Sequence, residues 1–322
     1  EGVLMEKKVN LCIVGAAGSG MTAAIYAAQK GVKKIVVLEK MKRPGGCTTM
    51  SCGMMALNSP VQKRYGLYYS VDDAFRKLMS VNNWNCNAMM VRKWLNGSGE
   101  NIAWLETLGF KYDYVCTEVS DYSKFPKTTH RVGTWDGKKW LYKLQGPILA
   151  RCLMENCAKH GIEILTKTRA ARLLQDKRGA VVGVEADGPE GTIKVHADAV
   201  ILCTGSISSN QELINRYYGS DEYKDVRIMA KVPHNTGDGH LMAQEIGAAF
   251  GRIGTLFIGP HNHYPGASEV TGMIIRRPHY MLVNMYGERF ADESIPIENE
   301  FGWMMGLALD NQPGKVCYAL ID

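Results

Sequence analysis

The stretch "VNLCIVGAAGSGMTAAIYAAQKG", Val9 to Gly31, decides the fold. It opens on an apolar run without alternation, turns through Gly15-Ala16-Ala17-Gly18-Ser19-Gly20, and continues into an Ala-rich helical segment closed by Gly31. A second apolar run, "KIVVLEK", follows at once. Strands that are apolar at successive positions, rather than at every second one, belong to a parallel sheet covered on both faces. The spacing therefore predicts a β-α-β unit.

The turn between that strand and helix has a physical task. To hold a dinucleotide, the chain must leave the strand sharply, bring bare backbone up to a pyrophosphate, and aim free helix N–H groups at it. Gly15 supplies the sharp turn and Gly20 the close helix–strand contact, whereas Ala17 stands where G-x-G-x-x-G has its middle glycine. Ala17 keeps that side chain small, and Gly18 beside it restores flexibility. Glu39 ends the second strand about twenty residues on, where a carboxylate meets ribose hydroxyls. Strand, turn, helix and acid together predict a nucleotide site, with Ala16 and Lys40 completing the candidate set. This unit alone does not separate NAD from FAD.

Composition narrows the class. A chain of 322 residues, 46% hydrophobic and 22% charged, has a sizeable core and is one large discontinuous domain or two. Its 38 Lys and Arg against 32 Asp and Glu give a charge of +6, scattered rather than gathered in runs. That balance suits an anionic cofactor or substrate, and no nucleic-acid recognition motif accompanies it. Nine cysteines without a CxxC read as reduced thiols in a cytoplasmic protein. This argues against zinc, iron–sulfur clusters or c-type haem held by this chain, so no metal is expected. No apolar run approaches the roughly 20 residues that span a bilayer, and "EGVLMEKK" lacks a signal-peptide core. The residues ahead of Met5 read as a cloning scar or the tail of an upstream segment.

Beyond the opening unit, "RPGGCTTMSCGMMALN" from Arg43 to Asn58 is a Gly-, Thr- and Ser-rich loop. Helical spacing from Val71 to about Leu108 predicts a helical insertion over about 60–145. Gln145 to His160 reads as an amphipathic helix ended by Gly161. Then "IEILTKTRAARLLQD", "GAVVGVEAD", "GTIKVHAD" and "AVILCTG" read as four strands, a meander turning at Lys177–Gly179 and Gly188–Gly191. The chain returns to the parallel sheet at "AVILCTG". A helical segment from Ser206 leads to the glycine turn and helix of "HNTGDGHLMAQEIGAA", and "HYMLVNMYGERFAD" reads as strand-turn-strand. A boundary near Gly251–Gly254 divides residues 1–251 from 252–322.

Three motifs then carry a resemblance. "PGGCTTMSCGMMA", "AVILCTGSISSN" and "HNTGDGHLMAQEIGA", in this order, resemble the FAD-binding core of the fumarate reductase and succinate dehydrogenase flavoprotein family, which includes urocanate reductases and 3-ketosteroid dehydrogenases. The family's Gly-Gly-Asn-Ser/Thr and Gly-Gly-Met-Asn-Ala patterns match at Gly45, Gly46, Thr48, Ser51, Gly53, Met54 and Ala56, with Cys47 and Met55 in place of asparagines. Its Ala-Thr-Gly-Gly is Cys203-Thr204-Gly205-Ser206, and its Thr-Gly-Asp-Gly is intact as Thr236-Gly237-Asp238-Gly239. The resemblance spans Val9 to Glu293. It implies an α/β, Rossmann-like FAD domain with a helical insertion and a β-meander, followed by the start of an α+β capping domain. FAD contacts are implied at these motifs, including Cys47, Cys52 and Asn210, with an adenine contact from the backbone near Ala171. The family's flavin-linking histidine has no counterpart, since the first histidine is His130, which implies noncovalent FAD. Cys47 and Cys52 are spaced C-x4-C and read as small buried residues rather than a redox pair.

Departures fall in the cap. "GPHNHYPG" stands at the family's His-Pro-Thr stretch, making His261 or His263 the candidate, while the Thr-Glu pair is replaced near Thr271-Gly272 and Arg276 keeps the nearby arginine. The segment Leu282-Val283-Asn284, Gly287, Arg289, Phe290, Glu293 matches, yet the proton-donating arginine falls on Ile297. Tyr280, His279 and Glu298 are replacement acids, with core packing the competing reading of Tyr280. The catalytic candidates are thus His261, Arg276 and Tyr280. The sequence stops at "KVCYALID", ahead of the family's return segment, and reads as part of a longer protein. The resemblance implies an FAD-dependent oxidoreductase, an ene-reductase moving hydride between flavin N5 and a carbon–carbon bond conjugated to a carbonyl or carboxylate. A 3-ketosteroid-type dehydrogenase is the alternative within enzymes. A flavin-binding electron-transfer subunit is the alternative outside them. The implied partners are a small unsaturated substrate and a redox partner or missing C-terminal segment.

Overall fold

The structure, a computed structural model, describes residues 5–81, 84, 86–116, 127–138, 140–218, 233–250, 280–291, 293, 308–309 and 311–321. In chain order the elements are β1 (Met5–Val14), α1 (Gly18–Gln29), β2 (Ile35–Glu39), β3 (Met54–Met55), α2 (Pro60–Arg64), α3 (Val71–Val81), α4 (Ala88–Thr107), β4 (Tyr114–Cys116), β5 (Thr129–Trp135) and β6 (Trp140–Lys143). There follow α5 (Gln145–Lys159), β7 (Glu163–Thr166), β8 (Arg169–Gln175), β9 (Val181–Gly188), β10 (Gly191–Leu202), α6 (Gln211–Tyr218), α7 (Asp238–Glu245), β11 (Tyr280–Asn284) and β12 (Cys317–Ile321). Two compact units are distinguishable: Glu1–Met55 with Glu100–Tyr114 and His130–Gly251, and Ala56–Gly99 with Val115–Thr129 and Arg252–Asp322. Among the described residues no helix is long and apolar enough to cross a membrane.

The first unit is built on a six-stranded sheet in the order β7-β2-β1-β10-β9-β8. β7, β2, β1 and β10 run parallel, while β9 and β8 are antiparallel additions. Leu11 to Val14 and Val36 to Leu38 are buried without alternation, as a doubly covered parallel sheet requires. On one face α1 buries Gly20, Met21, Ala24 and Ile25. Burying a side chain such as Met21 or Ile25 contributes about 1.5–3 kcal/mol.

Two strand boundaries differ from the sequence reading. "GTIKVHAD" and "AVILCTG" form one strand, β10, whose first half pairs antiparallel with β9 and which pairs parallel with β1 from Ile193 to Leu202. Asp198 does not interrupt it because its carboxylate faces solvent and accepts from Asn10 Nδ2 at 2.7 Å. Conversely, "IEILTKTRAARLLQD" is two strands, β7 and β8, broken at Lys167, which has a φ of 53°. The break is held by Lys167 N donating to Met41 O at 3.1 Å and Thr168 N donating to Glu39 O at 2.9 Å.

β7 and β8 lie at opposite ends of the strand order, yet two residues link them. The sheet therefore curls back on itself. Val9, Val14 and Leu38 from the parallel half and Ala170, Val184 and Ala186 from the antiparallel half share one apolar core between the curled layers.

The turn after β1 is fixed by backbone proximity. Gly15 has φ +104°, and a Cβ there would overlap the Cys203 carbonyl; a Cβ on Gly20 would overlap the Gly15 carbonyl. Ala17, by contrast, has φ −94° and ψ −169°, extended backbone that any residue adopts. The glycine missing from the fingerprint is thus at a position that does not require one.

In the second unit, Ser59 and Gln62 form a capping box at α2, with Ser59 Oγ accepting from Gln62 N at 3.1 Å and Gln62 Oε1 from Ser59 N at 3.0 Å. The expected strand-turn-strand is only half present. β11 pairs with β12, while the residues after the turn contribute one bridge, Val283 to Arg289. Asn284 Oδ1 accepts from Tyr286 N and Glu288 N, and buried Glu293 accepts from Leu282 N and the Arg289 guanidinium. These contacts explain the Asn, Arg and Glu of this motif as parts that hold the turn.

Replacing Gly20 with Ala is expected to lower the unfolding free energy by about 2 kcal/mol or more, because backbone must move to admit the methyl group. Ala17→Gly should change it by under about 1 kcal/mol. Urea titrations of both variants test the contrast, and equal losses would refute it.

Candidate functional site

The carboxyl ends of β1, β2 and β10 converge on a cleft of about 210 Å³. Open parallel sheets bind ligands outside the carboxyl ends of their strands, and the local chain geometry here provides that site. Gly15, Ala17, Gly18 and Ser19 form one wall, at the N-terminus of α1. No side chain caps α1 at Ala17 and no acid lies in its first turn, so its positive pole suits an anion. Gly18 N donates to Thr48 Oγ1 at 2.8 Å, which ties the loop of Gly46, Cys47 and Thr48 against the helix start.

Glu39 is buried at the end of β2 and lines the cleft. Its Oε2 accepts from Ala16 N at 2.9 Å and its Oε1 from Met41 N at 2.8 Å. Each carboxylate oxygen has capacity for a further hydrogen bond, as from a ribose hydroxyl. Next to it, Lys40 Nζ donates to Thr236 Oγ1 at 2.8 Å and to Asp238 Oδ2 at 3.1 Å. Arg169 bridges both oxygens of the same aspartate at 3.1 and 3.3 Å. Burial acts to raise the Asp238 pKa, but hydrogen bonds from Arg169, Thr236 and Lys40 and the Lys40 charge outweigh it, holding the carboxyl at about 2.

The third wall is the segment after β10. Thr204 and Gly205 line it, as does Cys203, whose thiol is pushed up by burial despite a hydrogen bond with Ser19. Asn235 is buried behind it and donates from Nδ2 to Cys47 Sγ at 3.2 Å and Ser206 Oγ at 3.1 Å. His234 also lines the cleft, and its Nε2 is buried without a hydrogen-bond partner.

The sequence-predicted residues divide into two groups. Gly15, Ala17, Gly18, Glu39, Lys40, Gly46, Cys47, Thr48, Thr204, Gly205 and Asp238 line the cleft together. Ala16, Gly20, Gly45, Ser51, Cys52, Gly53, Met54, Asn210 and Gly237 do not, and several have evident structural duties. Gly45 N donates to Ala16 O at 2.8 Å, and Asn210 bonds Thr236 O and Leu213 N, at 3.0 and 3.1 Å. Ser51 O accepts from Gly146 N at the start of α5, and Gly237 is the left-handed N-cap of α7. Cys47 and Cys52 are exposed, contrary to their reading as buried residues. Ala171 is exposed at a register shift in β8, and Ala170, one position earlier, is the buried residue that lines the cleft. His130 is buried, its Nδ1 3.1 Å from Met54 O.

Ser19, Thr168, Ala170, His234 and Asn235 line the cleft without having been singled out from the sequence, and Cys203, named there only as part of a motif, lines it too. Asn235 and His234 precede the Thr-Gly-Asp-Gly motif directly, which is the signal that pointed toward them. His261, His263, Thr271, Gly272, Arg276, His279, Ile297 and Glu298 lie outside the described residues. Tyr280 is described only as the first residue of β11, opposite Ile321.

The depressed Asp238 pKa predicts acid sensitivity. Its unfolded value is about 3.9, so the stabilisation is complete above that pH and is lost as pH falls toward about 2. The exposed Arg169 is screened by solvent, which leaves about 1 kcal/mol for the cluster. Urea unfolding at pH 7, 4 and 2 should show Asp238→Asn less stable at pH 7 and the gap closing by pH 2; a gap independent of pH would refute this.

A family model described as the FAD binding domain matches residues 10–311. The chain is 26% identical over 297 residues to the vinyl phenol reductase of Lactiplantibacillus plantarum, covering 89% of this chain and 57% of that protein. It is 29% identical over 301 residues to the urocanate reductase of Eggerthella lenta, covering 88% of this chain and 46% of that one. A 3-ketosteroid-Δ4-(5α)-dehydrogenase from Rhodococcus jostii RHA1 superposes with a TM-score of 0.78 at 22% identity, over 98% of this chain and 66% of that one. The chain spans about half the length of the curated relatives it matches. The anion-receptive helix start, the carboxylate at the end of β2 and the unsatisfied Nε2 of His234 fit that cofactor, and the chain belongs to the FAD binding domain family.

Proposed function

We propose that this chain carries the cofactor-binding part of an FAD-dependent oxidoreductase acting on a carbon–carbon bond conjugated to a carbonyl or carboxylate. The observation that carries this reading is the cleft at the ends of β1, β2 and β10, in a chain whose relatives are named vinyl phenol reductase and urocanate reductase. FAD, when bound, supplies a hydride-transferring N5 position, which this chain's own side chains do not.

The residues of the cleft bind and orient. The amides of the Gly15–Ser19 turn and the α1 pole hold the diphosphate, and Glu39 fixes a ribose by its remaining acceptor capacity. Asp238 binds Lys40 and Arg169, so the cationic side chains beside Glu39 are held in place before the cofactor arrives. Noncovalent attachment is part of this proposal, as is an unsaturated small-molecule substrate with electrons delivered by a redox partner or a further segment of the protein. His261, Arg276 and Tyr280 are proposed on the sequence resemblance for the substrate side, with His261 and Arg276 as anchors and Tyr280, beside His279 and Glu298, as a replacement acid.

The test uses the full-length protein. It should purify yellow, release FAD on acid denaturation, and after anaerobic reduction be reoxidised by at least one of fumarate, urocanate, acrylate, 4-vinylphenol or 4-androstene-3,17-dione, with a saturated product by mass. Flavin reoxidised by none of these acceptors, but rapidly by a protein electron acceptor, would replace the enzyme reading with an electron-transfer role.

A further inference from the structure

The segment before α7, His234-Asn235-Thr236-Gly237-Asp238, carries four polar side chains, of which those of His234, Asn235 and Asp238 line the cleft. Three of the four make hydrogen bonds within the protein. Asn235 donates to Cys47 and Ser206, Thr236 Oγ1 donates to Asp238 Oδ1 at 2.7 Å and accepts from Lys40, and Asp238 receives Lys40 and Arg169. The fourth, His234, is the exception: its Nε2 is sealed from solvent with no hydrogen-bond partner. A buried nitrogen left in that state is costly, and among the described residues lining the cleft it is the one side-chain atom so left.

The place of that nitrogen limits what can complete it. Nε2 lies 3.9 Å from the position a Cβ would take on Gly46, in the loop that Thr48 ties to the start of α1. It is therefore grouped with the helix pole and the Gly46–Thr48 loop, whereas Glu39, Lys40, Thr168 and Ala170 make up the wall beyond β2 and β8. A ligand atom in that neighbourhood must be a hydrogen-bond acceptor if the imidazole presents Nε2–H, and the helix pole beside it favours a negatively charged oxygen.

We propose that His234 is a cofactor-positioning residue whose Nε2–H donates to an oxygen in the diphosphate–ribityl stretch of FAD. The inference rests on the assignment of FAD to this cleft. It assigns a role that neither the glycine turn nor the Thr-Gly-Asp-Gly motif carries. In the cofactor-free protein the nitrogen is a liability, and in the loaded protein it is an anchor.

That reversal gives the test a readout independent of turnover. Cofactor-free full chain is titrated with FAD as wild type, His234→Phe and His234→Gln, and melting is followed with and without FAD. His234→Phe should bind FAD about tenfold more weakly, equivalent to about 1.4 kcal/mol, while its cofactor-free melting temperature stays level or rises. His234→Gln, which keeps an N–H donor at similar reach, should bind within about threefold of wild type. Unchanged affinity in His234→Phe overturns the inference, and so does a cofactor-free protein that melts lower in both variants, which marks a packing role. Wild type that takes up no FAD overturns the cofactor assignment itself, and the inference with it.

Discussion

The close approach of three backbone segments, Gly20 on Gly15 and Gly15 on Cys203, is the constraint on which the rest of the structure depends. It brings the start of α1 to the end of β1 and the end of β10 beside both. Without it the helix pole would point away from the strand ends, and Glu39, Thr48 and Thr204 would have no common focus. Side-chain chemistry in the cleft is arranged around this contact.

The cleft then divides its labour by charge. The helix pole offers partial positive charge from amides, which needs no titrating group. Formal charges stand elsewhere in the cleft, where Lys40 and Arg169 share the Asp238 carboxylate, so the local field there is set by a pre-formed cluster rather than by loose side chains. Fixed dipoles and internally paired ions hold a polar cofactor with little reorganisation on binding.

Legibility from sequence followed the range of the interactions. Gly15, Gly20 and Glu39 were readable because each acts within one β-α-β unit, where spacing alone dictates position. The turn accommodates Ala17 because its backbone is extended, a fact no letter encodes. The break between β7 and β8 was hidden, since Lys167 adopts a left-handed conformation inside an otherwise strand-like text and is stabilised by carbonyls of residues 39 and 41. The register shift beside Ala171, which leaves Ala170 as the residue lining the cleft, is likewise absent from the text. The exposure of Cys47 and the isolation of His234 depend on neighbours far along the chain, and neither leaves a periodic trace.

The two-residue link between β7 and β8 has a consequence for how the molecule assembles. Strand order places these two strands as far apart as the sheet allows, which would ordinarily mean a costly long-range closure. Joining the ends of a short segment costs little chain entropy, and that cost grows only slowly with the length enclosed. Here the seam of the curled sheet is sequence-local, and Thr168, at that seam, is also part of the cleft. The cavity is therefore completed by a contact between neighbours in the chain, and a ligand seated in it engages both halves of the sheet across one inexpensive junction.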